Sequence, residues 1–218
     1  MPAAGIGSRM NSGYPKQYLK INGKAIIEYS LSVFLDDPRC QKIIVVLHPN
    51  DNYWSKLTIS EVEKIQVVQG GDYRYQSVLN GLLALQTIAG EDDWVLVHDA
   101  ARPLLLKADV DMLLNTLQDA RVGGLLAAPL HATIKRVDGE KVVATEPREQ
   151  LWQALTPQMF RYGVLLEAYS NYGGENITDS SSAIEQLGLT PTIVPGHSSN
   201  IKVTTPEDLV FLRSQLCE

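Results

Sequence analysis

Every charged side chain between Met1 and Lys24 is basic: Arg9, Lys16, Lys20 and Lys24 come before the first acid, Glu28. The chain as a whole carries a formal net charge of −6, so its positive potential is concentrated at one end. Ala3, Ala4, Gly5 and Gly7 surround these cations. Small residues let backbone N–H groups come close to an anion, so the chemistry this segment offers is anion binding. A solvated basic face is the plainer reading of the same charges.

Generic phosphate motifs fit poorly. Gly5-Ile-Gly7-Ser-Arg-Met10 places Met where a dinucleotide fingerprint needs a third small residue. Gly23-Lys24 is followed by Ala, and Tyr18 stands where a P-loop needs its earlier glycine. There is no G-x-S-x-G nucleophile elbow and no H-E-x-x-H helix. A second small-residue turn, Gly70-Gly71-Asp72, precedes a helical pattern, where Asp72 could cap the helix or meet a ligand. Asp99 and Arg102 follow an apolar run, at the strand end where open α/β sheets bind ligands.

The elements that must position these residues alternate. Lys42–Leu47, Ile65–Val68, Trp94–His98 and Gly124–Pro129 read as strands, their continuous apolar runs implying cover on both faces. Ile27, Leu31, Phe34 and Leu35 share a helical face that Pro38 ends; Val78, Leu79, Leu82, Leu83 and Leu85 form another. Thr205-Pro206-Glu207-Asp208 reads as an N-cap, a first-turn proline and acids on the positive helix end. The βαβα order predicts a three-layer, Rossmann-like α/β domain with a mostly parallel sheet. Thr133–Val137 and Lys141–Ala144, joined at Asp138-Gly139, predict a hairpin that projects as an arm over about 131–150. We expect one domain over 1–218. A phosphate loop normally follows a strand, and nothing ahead of Met1 supplies one; the expectation is a missing first strand and a true start further upstream.

Of the 218 residues, 44% are hydrophobic and 20% charged, which excludes a disordered chain or a small disulfide scaffold. The net negative charge argues against a nucleic-acid binder. No apolar run approaches the roughly 20 residues of a membrane span. Cys40 and Cys217 match no metal-ligand spacing, and free thiols in a reducing cytoplasm are expected. Trp152 reads as core or dimer packing, and His98 as a packed strand residue.

Pro2–Met10 followed by Pro15-Lys-Gln-Tyr18 resembles the opening signature of the 2-C-methyl-D-erythritol 4-phosphate cytidylyltransferases. The resemblance continues through Gly70-Gly71-Asp72 with Arg74 and Ser77, Val97–Pro103, Ala128-Pro129 with Thr133-Ile-Lys135, Leu151–Gln158 and Asn200–Thr204. It implies a Rossmann-like domain whose β-arm builds a homodimer with shared active sites. It also implies transfer of CMP from CTP to methylerythritol 4-phosphate, with loss of pyrophosphate and Mg²⁺ on the CTP phosphates. By the same resemblance, Arg9, Lys16, Arg148 and Lys202 are catalytic. Ala3, Ala4, Gly5, Gly71, Asp72, Ser77, Asp99, Ala100 and Arg102 bind the nucleotide, and Asp99 touches the metal directly or through water. Thr133, Arg148 and Lys202 bind the acceptor, the first two reaching a neighbouring subunit.

Two departures bear on this pattern. Ala132 replaces a usual Asp before Thr133, and Ser180 follows Thr178-Asp179 where the family has an acid. A pentitol-phosphate cytidylyltransferase, such as a ribitol-5-phosphate enzyme, shares the CTP residues and differs at the arm. A non-catalytic CTP-binding module is the alternative from another class.

Overall fold

The computed structural model describes residues 1–5, 14–171 and 177–216. In chain order the elements are β1 (Lys20–Ile21), β2 (Lys24–Ala25), α1 (Ile26–Leu35), β3 (Ile43–Leu47), β4 (Ile65–Gln69), α2 (Arg74–Leu83) and β5 (Trp94–Val97). Then come α3 (Lys107–Leu117), β6 (Gly123–Pro129), β7 (Ile134–Asp138), β8 (Lys141–Glu146) and β9 (Trp152–Arg161). The last are α4 (Tyr162–Asn171), α5 (Ser180–Gln186), β10 (Thr192–Pro195) and α6 (Pro206–Leu216).

Helices cover both sides of the strands, so the fold is the expected three-layer α/β arrangement. On one side Ile27, Leu31 and Phe34 of α1 join Val110, Leu113 and Leu117 of α3 against β3, β6 and β9. On the other, Val78 and Leu82 of α2 pack with Leu165 and Tyr169 of α4 and Ile184 of α5. Met159 and Phe160 of β9 fall in opposite cores because successive strand residues point to opposite faces. All five residues of β3 are buried, which is why that run lacks polar alternation.

The strands order as β10-β6-β9-β5, with β3 and β4 pairing beside them. β10 with β6 and β3 with β4 are parallel; β9 runs antiparallel to both β5 and β6. The sheet is therefore mixed, and β9 is the strand that reverses it. Met1–Ala3 lies along β3 in parallel: Ala3 N–H donates to Val46 O at 2.8 Å and Val46 N–H to Met1 O at 2.9 Å. Met1–Ala3 is thus bridged to β3 through Pro2, directly ahead of the small-residue loop. Beside them, between β3 and β5, lies an apolar slot of about 400 Å³ bordered by Phe34, Ile44, Leu82 and Val97.

β7 and β8 pair only with each other, as the projecting arm expected from the sequence. Gly139 turns the hairpin at φ +57°. Val137, Val142 and Val143 stay exposed on it, at 56%, 61% and 57%. Among the described residues no helix is long and apolar enough to cross a membrane.

Candidate active site

The crevice is assembled from three backbone segments that stop at one end of the sheet. The first is the loop after Met1–Ala3. Gln17 is buried behind it, and its Nε2 donates to Ala3 O at 2.7 Å and Gly5 O at 3.2 Å. A short 3₁₀ turn, Lys16–Tyr18, carries Gln17, and Tyr18 anchors that turn by donating to Asp51 Oδ2 at 2.7 Å. Lys16 is thereby aimed at the opposite wall, where its Nζ donates to Val203 O at 2.7 Å.

The second segment is the turn from β4 into α2. A Cβ on Gly70 would lie 2.7 Å from both Ala4 Cβ and Ser77 Oγ, so only glycine lets the two loops close together. Ser77 Oγ accepts from Gly71 N–H at 3.2 Å and shapes the turn. The N-cap of α2 is Tyr73, whose N–H donates to Gln76 Oε1 at 3.0 Å, so Asp72 is not spent on capping and its exposed carboxylate borders the crevice.

The third segment follows β5. His98 is only 2% exposed and is held by bonds that fix its tautomer. Thr156 Oγ1 accepts from Asp99 N–H at 3.1 Å, so its own proton points to His98 Nδ1 at 2.9 Å. His98 Nε2–H then donates to Arg102 O at 3.2 Å. Ser30 of α1 donates to Ala100 O at 2.9 Å, and Val203 N–H to Ala101 O at 2.8 Å. This turn presents Asp99 among three cations. Lys202 Nζ lies at 2.9 Å, Arg74 Nη2 at 3.3 Å and Arg102 Nε at 3.6 Å. Burial alone would raise the Asp99 pKa, but Arg74, Lys202 and Arg102 together hold it well below the usual carboxylate range.

The resulting cavity is about 310 Å³. Of the residues expected to act on the nucleotide, Ala3, Ala4, Gly5, Lys16, Gly71, Asp72, Ser77, Asp99, Ala100 and Lys202 line it. Arg102 sits beneath the lining, its Nη1 donating to Asn200 O at 2.7 Å. Arg9 lies outside the described residues. Thr133 and Arg148 lie apart from this lining, on and beside the arm, where Arg148 Nη1 donates to His131 O. Trp152 is 37% exposed, so it is not core. Gln17 and Arg74 stand inside the motifs that carry the family resemblance, but residue type alone assigns neither a place in the site. Their roles depend on contacts between segments, which one sequence does not display. His197 Nδ1 lies 2.6 Å from Oδ1 of fully buried Asp109 and pins the loop that leads to Lys202.

Among the described residues there is no cluster of three or more metal-ligating side chains. Asp99 is the carboxylate beside the cations, and the donors already on it leave little room for a bare dication. Its place suits Mg²⁺ that keeps its own waters and takes most of its ligands from phosphates.

The chain matches the family model described as IspD, 2-C-methyl-D-erythritol 4-phosphate cytidylyltransferase, over residues 1–216. It is 50% identical over 222 residues to the protein of that name from Pseudomonas syringae pv. tomato, covering 100% of this chain and 94% of the relative. The Pseudomonas fluorescens SBW25 protein of the same name is 50% identical over 217 residues, covering 98% of this chain and 92% of the relative. Among solved structures, the Francisella tularensis 2-C-methyl-D-erythritol 4-phosphate cytidylyltransferase superposes with a TM-score of 0.85 at 37% identity, covering 99% of this chain and 97% of that one. The Thermus thermophilus enzyme of that name gives 0.79 at 27% identity, covering 98% and 95%. With the family model spanning nearly every residue and half of all positions shared with full-length relatives, the chain belongs to the 2-C-methyl-D-erythritol 4-phosphate cytidylyltransferase family.

Proposed function

We propose that this chain transfers CMP from CTP to 2-C-methyl-D-erythritol 4-phosphate, releasing pyrophosphate, and that the crevice is the CTP site. The observation that carries the site reading is the joining of a small-residue shelf to a cation cluster. Ala3–Gly5, Gly71, Asp72 and Ser77 form the shelf, Lys16 and Lys202 stand beside it, and Arg74 pairs with Asp99. The shelf suits a flat base, and the exposed Asp72 carboxylate offers an acceptor for the cytosine amino group.

The attacking phosphate has its second pKa near 6 and is largely dianionic at neutral pH, so the reaction needs no general base. His98, buried and neutral, is removed from that role. The difficulty is electrostatic: two anions must meet, and charge builds on the phosphoryl oxygens of the in-line transition state. Fixed cations are the remedy. Lys16 and Lys202 face the triphosphate from opposite walls, and Arg102 and Arg74 hold the Asp99 carboxylate beneath them. Mg²⁺ entering with CTP would neutralise phosphate charge, with Asp99 as its water-mediated protein contact.

The second half of the site comes from another copy. Thr133 and Arg148 stand outside their own crevice, and exposed Val137, Val142 and Val143 offer the arm an apolar contact face. A homodimer in which the arm of each protomer reaches its partner would place a guanidinium fork on the acceptor phosphate. The cytoplasm is the compartment proposed, where CTP is available and the Cys40 thiol stays reduced.

A pyrophosphate-release assay tests the reading, with methylerythritol 4-phosphate and ribitol 5-phosphate supplied side by side. Release with the first alone is expected. Release only with ribitol 5-phosphate would overturn the acceptor, and CTP binding without release from either would overturn catalysis.

A further inference from the structure

Three buried side-chain atoms lack a hydrogen-bond partner among the described residues: Arg74 Nη1, Arg102 Nε and Asn200 Oδ1. They belong to one neighbourhood. Arg74 and Arg102 both flank Asp99, and Asn200 is tied to Arg102 through its backbone carbonyl. Buried donors without acceptors are costly and uncommon in folded proteins, so two on the pair of guanidiniums beside one carboxylate call for a physical reason. The Tyr169 hydroxyl lies beside the Arg74 guanidinium but leaves Nη1 unbonded.

Competition supplies that reason. Asp99 offers two oxygens to three cations, and the shortest contact belongs to Lys202 Nζ at 2.9 Å from Oδ2. Arg102 Nε is held off the same oxygen at 3.6 Å. The three cations differ in freedom. The Lys202 side chain is 36% exposed, whereas those of Arg74 and Arg102 are 25% and 9% exposed. Lys202 is the most exposed of the three and the freest to swing into the crevice, yet leaving would strip Asp99 of its closest counter-charge. Two idle N–H groups stand ready to replace it.

We propose that Asp99 parks Lys202 in the empty enzyme, and that Arg74 and Arg102 are positioning residues whose idle N–H groups take the carboxylate when Lys202 moves onto the CTP phosphates. The exchange moves no proton and makes no covalent bond. Hydrogen bonds missing from the empty site are made in the loaded one, so polyphosphate binding is favoured over binding of the nucleoside alone. When pyrophosphate leaves, Lys202 returns to Asp99. This inference rests on the crevice being the triphosphate site.

The test is a pair of double-mutant cycles read by calorimetry with CTP and with cytidine. Without the guanidinium, Asp99 grips Lys202 harder. Arg74→Gln should therefore weaken CTP about tenfold, the scale of one charged hydrogen bond, and leave cytidine unchanged. Arg74→Lys, which restores the charge, should recover part of the loss. In an Asp99→Asn background, and separately in a Lys202→Met background, nothing is parked, and Arg74→Gln should add no further loss. The second background keeps the test decisive if Asp99→Asn does not fold. An equal Arg74→Gln loss in both backgrounds, or equal weakening of CTP and cytidine, would overturn the latch while leaving the site reading intact. Wild-type enzyme that binds CTP no more tightly than cytidine would overturn the site reading and the latch together.

Discussion

His98 shows how one buried side chain sets the geometry of a site it does not enter. Its bonds to Thr156 and Arg102 require the neutral ring, because Nδ1 accepts and Nε2 donates. Burial lowers its pKa to about 4, against the opposing pull of Asp99. In the unfolded chain the ring titrates near its ordinary 6.5, so the unfolded state binds the proton first as pH falls. The stability that depends on neutral His98 is complete above about 6.5 and is lost as pH drops through about 4, at up to ~1.4 kcal/mol per pH unit. Urea unfolding from pH 7 to 4.5 tests this. His98→Gln should be weaker at pH 7 yet show a shallower decline, its difference from wild type closing as pH falls. Parallel declines would mean the ring takes up its proton in the fold as readily as in the unfolded chain.

At the scale of elements, β6 is the strand that cannot yield. It is bonded to β10 on one edge and β9 on the other. A Cβ on Gly123, whose φ is +122°, would lie 2.1 Å from Met159 O and 2.8 Å from Phe160 Cα. Both obstacles are backbone. Gly123→Ala should cost about 3 kcal/mol, the upper range of overpacking, and lower Tm by roughly 6–12 °C in a thermal melt. An unchanged Tm would show that β6 and β9 slide apart freely at this end. The four strands anticipated from apolar runs formed within a residue or two of their expected ends, because β-branched runs covered on both faces declare themselves locally. β9 did not declare itself. Trp152-Gln-Ala-Leu-Thr-Pro-Gln-Met carries Gln158 and Thr156, which are buried and used for hydrogen bonds to α5, Asp99 and His98, so its polarity hides a central strand. The site divides the same way. Lys16 and the small-residue loops were legible from residue type and spacing, whereas Gln17, Arg74 and the orphaned donors around Asp99 exist only through contacts between distant segments.

For the whole molecule, the question is which chain completes which crevice. Lys16 lines the crevice and Arg148 stands outside it beside the arm. If the arm crosses a two-fold axis, each site combines Lys16 of one protomer with Arg148 of its partner. Lys16→Met should lower turnover about 100-fold, the scale of losing one preorganised transition-state donor. Arg148→Met removes the fork expected on the acceptor phosphate. Neither homodimer should turn over appreciably. Co-expressed, the two chains assort so that about half the dimers are mixed, and each mixed dimer has one site with both residues intact and one with neither. The unfractionated pool should therefore recover roughly a quarter of wild-type activity. If Arg148 serves its own crevice instead, every site in the mixed dimer carries one defect and no activity returns. Native mass measurement of the mixed species separates that result from a failure to assemble. A mixed dimer that forms and stays silent would place the acceptor phosphate within one protomer and leave the arm a purely structural contact.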